Sequence, residues 1–138
     1  MAKTALVTGA SSGIGREIAR DLSARGFRVI LSARREERLR ELAEELGDNT
    51  RVIVCDVSDR EECLRLYEET KSEKISVLVN CAGFGAVGNF DELPLDTELK
   101  MIDTNVTAVH MLTKLFLKDF VAADRGYIMN IACLLYTS

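Results

Sequence analysis

Thr8-Gly9-Ala10-Ser11-Ser12-Gly13-Ile14-Gly15 decides how the chain folds, because it joins a short apolar run, Thr4 to Thr8, to a segment of helical period beginning at Gly13. So tight a turn needs glycine, for backbone angles that other residues avoid and for the close approach of an anion. The helix that opens there presents unbonded amides at its N-terminus, a ready site for a phosphate group. The spacing Gly-x-x-x-Gly-x-Gly is neither the common Gly-x-Gly-x-x-Gly fingerprint nor a Walker loop, which would place Gly-Lys-Ser or Gly-Lys-Thr here.

Outward from that turn, runs rich in Val, Ile and Leu alternate with longer segments of helical period. Five strands are predicted, at Thr4 to Thr8, Phe27 to Ser32, Arg51 to Cys55, Ile75 to Asn80 and Tyr127 to Ile131. Their near-continuous hydrophobicity fits strands covered on both faces, as a parallel sheet with crossover helices requires. Helices are expected over Gly13 to Arg25 and Arg35 to Leu46, with Gly26 and Gly47 as stops. A third begins with the capping box Ser58-x-x-Glu61 and runs to about Lys71. The longest helical stretch, Asp96 to Ala123, has a break expected near Thr104. Its apolar set, Met101, Ile102, Val106, Val109, Leu112, Phe116, Leu117 and Phe120, exceeds the stripe needed on one sheet face. The surplus fits either a subunit contact or a face that further chain would cover.

Composition narrows the function classes. At 138 residues, 47% hydrophobic and 29% charged, the chain is long enough for one domain with a real core and too rich in apolar residues for disorder. Eighteen basic against 22 acidic residues give a net charge of −4 with no basic tract, which argues against nucleic acid as a partner. Cys55, Cys63, Cys81 and Cys133 show no Cys-x-x-Cys spacing and have only His110 to join them, so no metal site is expected and reduced thiols are. His110, within the long helix, has no partner by spacing and is expected to be packed or half-exposed rather than a base. No signal-peptide core precedes the first strand and no apolar run reaches membrane-spanning length. The expectation is a cytoplasmic protein with no membrane partner.

Three further motifs lie in order along the same frame. Cys55-Asp56-Val57 ends the third strand, Asn80-Cys81-Ala82-Gly83 ends the fourth, and Asn105 lies in the long helix. With the glycine turn, these make the chain resemble the N-terminal half of a classical short-chain dehydrogenase/reductase from Lys3 to Ala132. The resemblance implies a Rossmann-type, doubly wound parallel α/β sheet, truncated after the fifth strand. It implies cofactor binding by Gly9, Ser11, Ser12, Gly13, Ile14 and Gly15, an adenine contact from Asp56 with Val57, and a crevice bordered by Asn80, Ala82 and Gly83. It also makes Asn105 a catalytic asparagine that anchors a proton-relaying water. Cys81 departs from the family's second asparagine, which is thought to tie neighbouring strands together. Phe84 to Phe90, rich in glycine, fits either a pocket mouth or a plain loop.

The second strand's end addresses the cofactor. A carboxylate there would bond the ribose hydroxyls of NAD, whereas an arginine accommodates the 2′-phosphate of NADP. The chain reads Ser32-Ala33-Arg34-Arg35, which favours NADP(H), with Arg34 as the phosphate ligand. The bland alternative is that Arg34 and Arg35 merely open a charged helix face continuing through Glu36, Glu37 and Arg38. Arg16 either adds positive potential or is a solvated surface residue.

In such enzymes hydride passes between nicotinamide and a carbonyl or alcohol carbon, a tyrosine moves the proton, and a lysine four residues later depresses that tyrosine's pKa. Of these parts only Asn105 is present at its family place: Tyr127 and Tyr136 have no lysine four residues on, and the pair Tyr67-x-x-x-Lys71 lies in the third helix, before the fourth strand rather than after the fifth. The chain is therefore expected to bind cofactor better than it turns over substrate. The parent is expected to be a homo-oligomer acting on a small carbonyl or alcohol; the rival class is a non-catalytic NADP(H) sensor or scaffold. A phosphotransferase is disfavoured by the missing P-loop lysine. Cys133-Leu134-Leu135-Tyr136-Thr137-Ser138 is what TGT CTC TTA TAC ACA TCT encodes, a sequence used in transposase-based adapters. Residues 1–132 are thus expected to be an incomplete nucleotide-binding domain and 133–138 a non-biological tail. Without a sixth strand, Tyr127 to Ile131 is expected to be an aggregation-prone edge that leaves the chain poorly soluble.

Overall fold

The computed structural model describes residues 3–132, so the tail at 133–138 lies outside the described residues. Five parallel strands form one sheet: β1 (Thr4–Thr8), β2 (Arg28–Ala33), β3 (Thr50–Val54), β4 (Ile75–Asn80) and β5 (Tyr127–Asn130), in the order β3-β2-β1-β4-β5. Helices α1 (Gly13–Ala24) and α2 (Glu36–Leu46) cross over between β1, β2 and β3; α3 (Arg60–Thr70) leads to β4. The segment before β5 is α4 (Leu95–Ile102), one π-turn (Asp103–Thr107) and α5 (Ala108–Ala123). The chain order reverses between β1 and β4, which is where a doubly wound sheet opens a crevice at its carboxyl edge.

Alternation along the strands builds two cores. Leu6, Ile30, Ile53 and Leu78 meet Cys63 and Leu66 of α3 and Leu112, Phe116 and Phe120 of α5. Val7, Val29, Leu31 and Val79 meet Ala19 of α1 and Leu39 and Leu42 of α2. Because β1 faces both, Ala5, Leu6 and Val7 have no exposed surface, and the run reads as continuously apolar. The Tyr67 ring meets Phe116 edge-on with centroids 5.1 Å apart, and its hydroxyl donates to Asp119 at 2.7 Å, tying α3 to α5.

Several sequence expectations shift by local hydrogen bonding. Phe27 belongs to the closing turn of α1, because its amide is used by Leu22 O at 3.1 Å, and β2 begins at Arg28. The Ser58–Glu61 capping box does not form. The Ser58 hydroxyl donates to Asp56 instead, and Asp59 caps α3 by accepting the Glu61 amide at 2.9 Å. The long helix widens instead of breaking: the Ala108 amide reaches Asp103 O, five residues back. His110 is exposed on α5.

Candidate functional site

The crevice at the carboxyl ends of β1 and β4 is a cavity of about 450 Å³. Its lining draws on the turn after β1 (Gly9, Ser11 to Gly15), the ends of β2 and β3 (Ser32 to Arg35, Cys55 to Val57), the loop after β4 (Cys81 to Phe84) and the π-turn region (Thr104, Asn105, Val109). Five stretches of chain, far apart in sequence, therefore converge on one hollow.

The turn after β1 can be built only with glycine at two of its positions. Gly9 has φ +64°, and a Cβ there would lie 2.7 Å from the Cys81 carbonyl and the Ala82 amide. A Cβ on Gly15 would lie 2.2 Å from Gly9 O, so the first turn of α1 is pressed against the loop it follows. Ser12 caps α1 in extended backbone, with no side-chain bond to the helix and no acidic residue in the first turn. The amides of Gly13, Ile14 and Gly15 thus open onto the cavity with the positive end of the helix behind them.

Opposite, Arg34 and Arg35 are exposed at the rim. Among the described residues, Arg20, Arg25, Arg28, Arg40, Arg51 and Arg65 pair with carboxylates, whereas Arg34 and Arg35 pair with none. Arg16 is half-buried on α1 and faces a second hollow lined by Ile18, Val77 and Met129, not this cavity. Asp56 accepts from the Ser58 amide at 3.0 Å and the Ser58 hydroxyl at 2.7 Å, with Lys100 Nζ 3.7 Å away. Partial burial pushes its pKa up, but the Ser58 bonds, then Lys100 and Arg34, outweigh it and hold the carboxyl below its ordinary value. Burial pushes the neighbouring Cys55 thiol up to about 12, so it stays protonated and inert.

Asn105 sits in the π-turn and clasps the loop after β4. Its Nδ2 donates to Phe84 O at 2.8 Å and its Oδ1 accepts from the Phe84 amide at 3.0 Å. The side-chain amide is therefore committed to positioning the loop, and Gly83 is held so close that a Cβ would lie 2.7 Å from Asn105 Oδ1. Beneath, the Thr8 hydroxyl accepts from the Cys81 and Ala82 amides and donates to Val79 O, supplying the strand tie despite Cys81.

All the sequence-predicted site residues line the cavity except Asn80. Asn80 is 3% exposed and points beneath it, donating to Asn130 Oδ1 at 2.9 Å and Thr113 Oγ1 at 3.2 Å. It is the last residue of β4, and its side chain turns inward to brace the strand against β5 and α5. Of the glycine-rich loop only Phe84 reaches the cavity, while Val87 and Phe90 are exposed. Sequence reasoning missed Thr8, Ser32, Thr104 and Lys100. Lys100 reaches Asp56 from 44 positions away, and no local pattern announces such a pair.

A family model described as short chain dehydrogenase matches residues 3–135. An uncharacterized oxidoreductase from Staphylococcus saprophyticus is 38% identical over 136 residues, covering 94% of this chain and 58% of the relative. The 3-oxoacyl-(acyl-carrier-protein) reductase FabG of Rickettsia prowazekii is 38% identical over 134 residues, covering 94% and 53% respectively. Among solved structures, a metagenomic short-chain oxidoreductase in complex with NADP superimposes with a TM-score of 0.90 at 34% identity, over 99% of this chain and 63% of that one. The chain spans a little over half the length of the curated relatives it matches.

Proposed function

The chain belongs to the short chain dehydrogenase family, and on that premise we propose that residues 1–132 are the NADP(H)-binding part of an oxidoreductase that interconverts a carbonyl and an alcohol. The observation that carries the reading is the pairing, in one cavity, of the open α1 N-terminus with the two unpaired arginines at its far rim. Anions suit both ends. The amides of Gly13 to Gly15 would hold the pyrophosphate, and Arg34 with Arg35 the 2′-phosphate, which a carboxylate there would repel.

The other residues fit the rest of the nucleotide. Asp56, held ionised by Ser58 and Lys100, is an acceptor for the adenine amino group, with Val57 beside it. Ala82 and Gly83, without bulky side chains, let the ribose and nicotinamide lie close to the backbone. When bound, the nicotinamide supplies or accepts the hydride. Asn105 keeps the Gly83–Phe84 loop in place through its side chain and, in the family's manner, anchors a water for proton relay. The proton itself would be moved by a Tyr-x-x-x-Lys pair beyond β5; Tyr67 and Lys71 have that spacing, but Tyr67 packs on Phe116 and donates to Asp119, away from the cavity.

The substrate is read as a small carbonyl or alcohol. The exposed stripe Leu95, Leu99, Ile102 and Val106 on α4 and the π-turn supports self-association of the parent. The free thiols Cys55, Cys63 and Cys81 support a cytoplasmic setting. Residues 133–138 are read as adapter-derived; other codons at those positions would overturn that.

Two experiments test the proposal. NADPH fluorescence should report saturable binding to the chain, fused to a soluble carrier, that 2′,5′-ADP displaces; no binding would refute the cradle. Recovering the reading frame beyond Ala132 should reveal Tyr-x-x-x-Lys. Its absence would sink the oxidoreductase and leave a nucleotide sensor.

A further inference from the structure

We infer that the Ser32 hydroxyl is a binding group for the adenosine half of the nucleotide, an assignment that rests on the nucleotide reading above. Ser32 lies near the end of β2, lines the cavity, and is only 1% exposed. Its Oγ is buried without a hydrogen-bond partner among the described residues. Other buried hydroxyls have partners: Thr8 has Val79 and the Cys81 and Ala82 amides, Thr70 has Leu66 O at 2.8 Å, Ser76 has Thr4 O at 3.3 Å, and Thr104 has Lys100 O at 2.9 Å.

A buried hydroxyl without a partner is unfavourable, so one that borders a cavity points to a partner supplied by the ligand. The backbone of Ser32 is fixed in the sheet. Its carbonyl accepts the Ala10 amide at 3.1 Å, and the strand register sets it between Thr8 and Ile53. Beside it the cavity wall is Ala33, Cys55 and Val57, small or apolar surfaces suited to a flat base, with the anion-binding groups on either side. A hydroxyl donates and accepts, so it serves either a purine nitrogen or a ribose hydroxyl.

The test compares the parent chain with Ser32→Ala, both fused to a soluble carrier, by calorimetry with NADPH and with 2′,5′-ADP, which carries the adenosine but no nicotinamide. Both ligands should bind the variant more weakly by the same factor, roughly five- to tenfold for one hydrogen bond. Pulse proteolysis in urea should show the ligand-free variant unfolding at equal or higher denaturant, since it loses an unpaired polar atom. Unchanged affinity for both ligands, a loss confined to NADPH, or a clearly lower unfolding midpoint would each overturn the assignment. A parent chain that binds neither ligand would instead remove the nucleotide reading itself.

Discussion

Replacing Asn105 with alanine isolates the clasp by which the π-turn holds the loop after β4 at the cavity wall. The side chain makes two hydrogen bonds, to Phe84 O at 2.8 Å and from the Phe84 amide at 3.0 Å, and both are part-buried. Each is worth about 1 kcal/mol net, so Asn105→Ala should lose about 2 kcal/mol of loop docking, a factor of about 30 in the docked population. No other Phe84 backbone bond appears among the described residues, so the loss falls on the loop more than on the sheet. Hydrogen exchange read at the Phe84 amide should accelerate by about that factor, while the β1 and β4 amides slow no less than before. NADPH affinity should fall with it, because Gly83 and Phe84 line the cavity. Asn105→Asp keeps the acceptor but sets a carboxylate against Phe84 O, so it should loosen the loop at least as much. Unchanged exchange at Phe84 in Asn105→Ala would refute the clasp.

Three other perturbations follow from the same geometry. Gly15→Ala would push a methyl to 2.2 Å from Gly9 O, and should cost about 3 kcal/mol or more and abolish nucleotide binding, read by urea unfolding and NADPH titration. Asp56 has a lowered pKa in the folded chain, so its contribution is present above about pH 4, the unfolded value, and lost as pH falls further; Asp56→Asn should flatten that part of the acid-unfolding curve. Tyr127 is 73% and Met129 48% exposed on β5 at the sheet's edge, and changing both to lysine should raise the soluble fraction of the expressed chain without shifting NADPH affinity.

The sheet and its switch point were legible because burial on both faces leaves a strong mark: each strand reads as an apolar run, and the crossover helices carry their own period. Boundaries were less legible where one amide had two uses. Phe27 is apolar enough for a strand, yet its amide closes α1. Ser58 and Glu61 have the right spacing for a cap, but Asp56, two residues earlier, competes for the Ser58 hydroxyl and wins. The glycine turn and Arg34 could be placed at the cavity from their positions at strand ends, and Asp56 and Asn105 with the help of the family resemblance; all of them line it. Asn80 was not legible, because whether a residue at a strand's end faces the crevice or the neighbouring strand depends on Asn130 and Thr113, both distant in sequence. The Asp56–Lys100 pair and the Thr8 tie were invisible for the same reason. The π-turn fell where a break was expected near Thr104, and the long apolar set gave no sign that the helix would continue through it.

Paired equilibrium titrations of the chain with NADPH and NADH test the cofactor cradle most directly. If Arg34 and Arg35 receive a 2′-phosphate, NADPH should bind about tenfold or more tightly than NADH, and Arg34→Asp should remove or reverse that preference. Equal affinities, or tighter binding of NADH by the parent chain, would contradict the role given to both arginines.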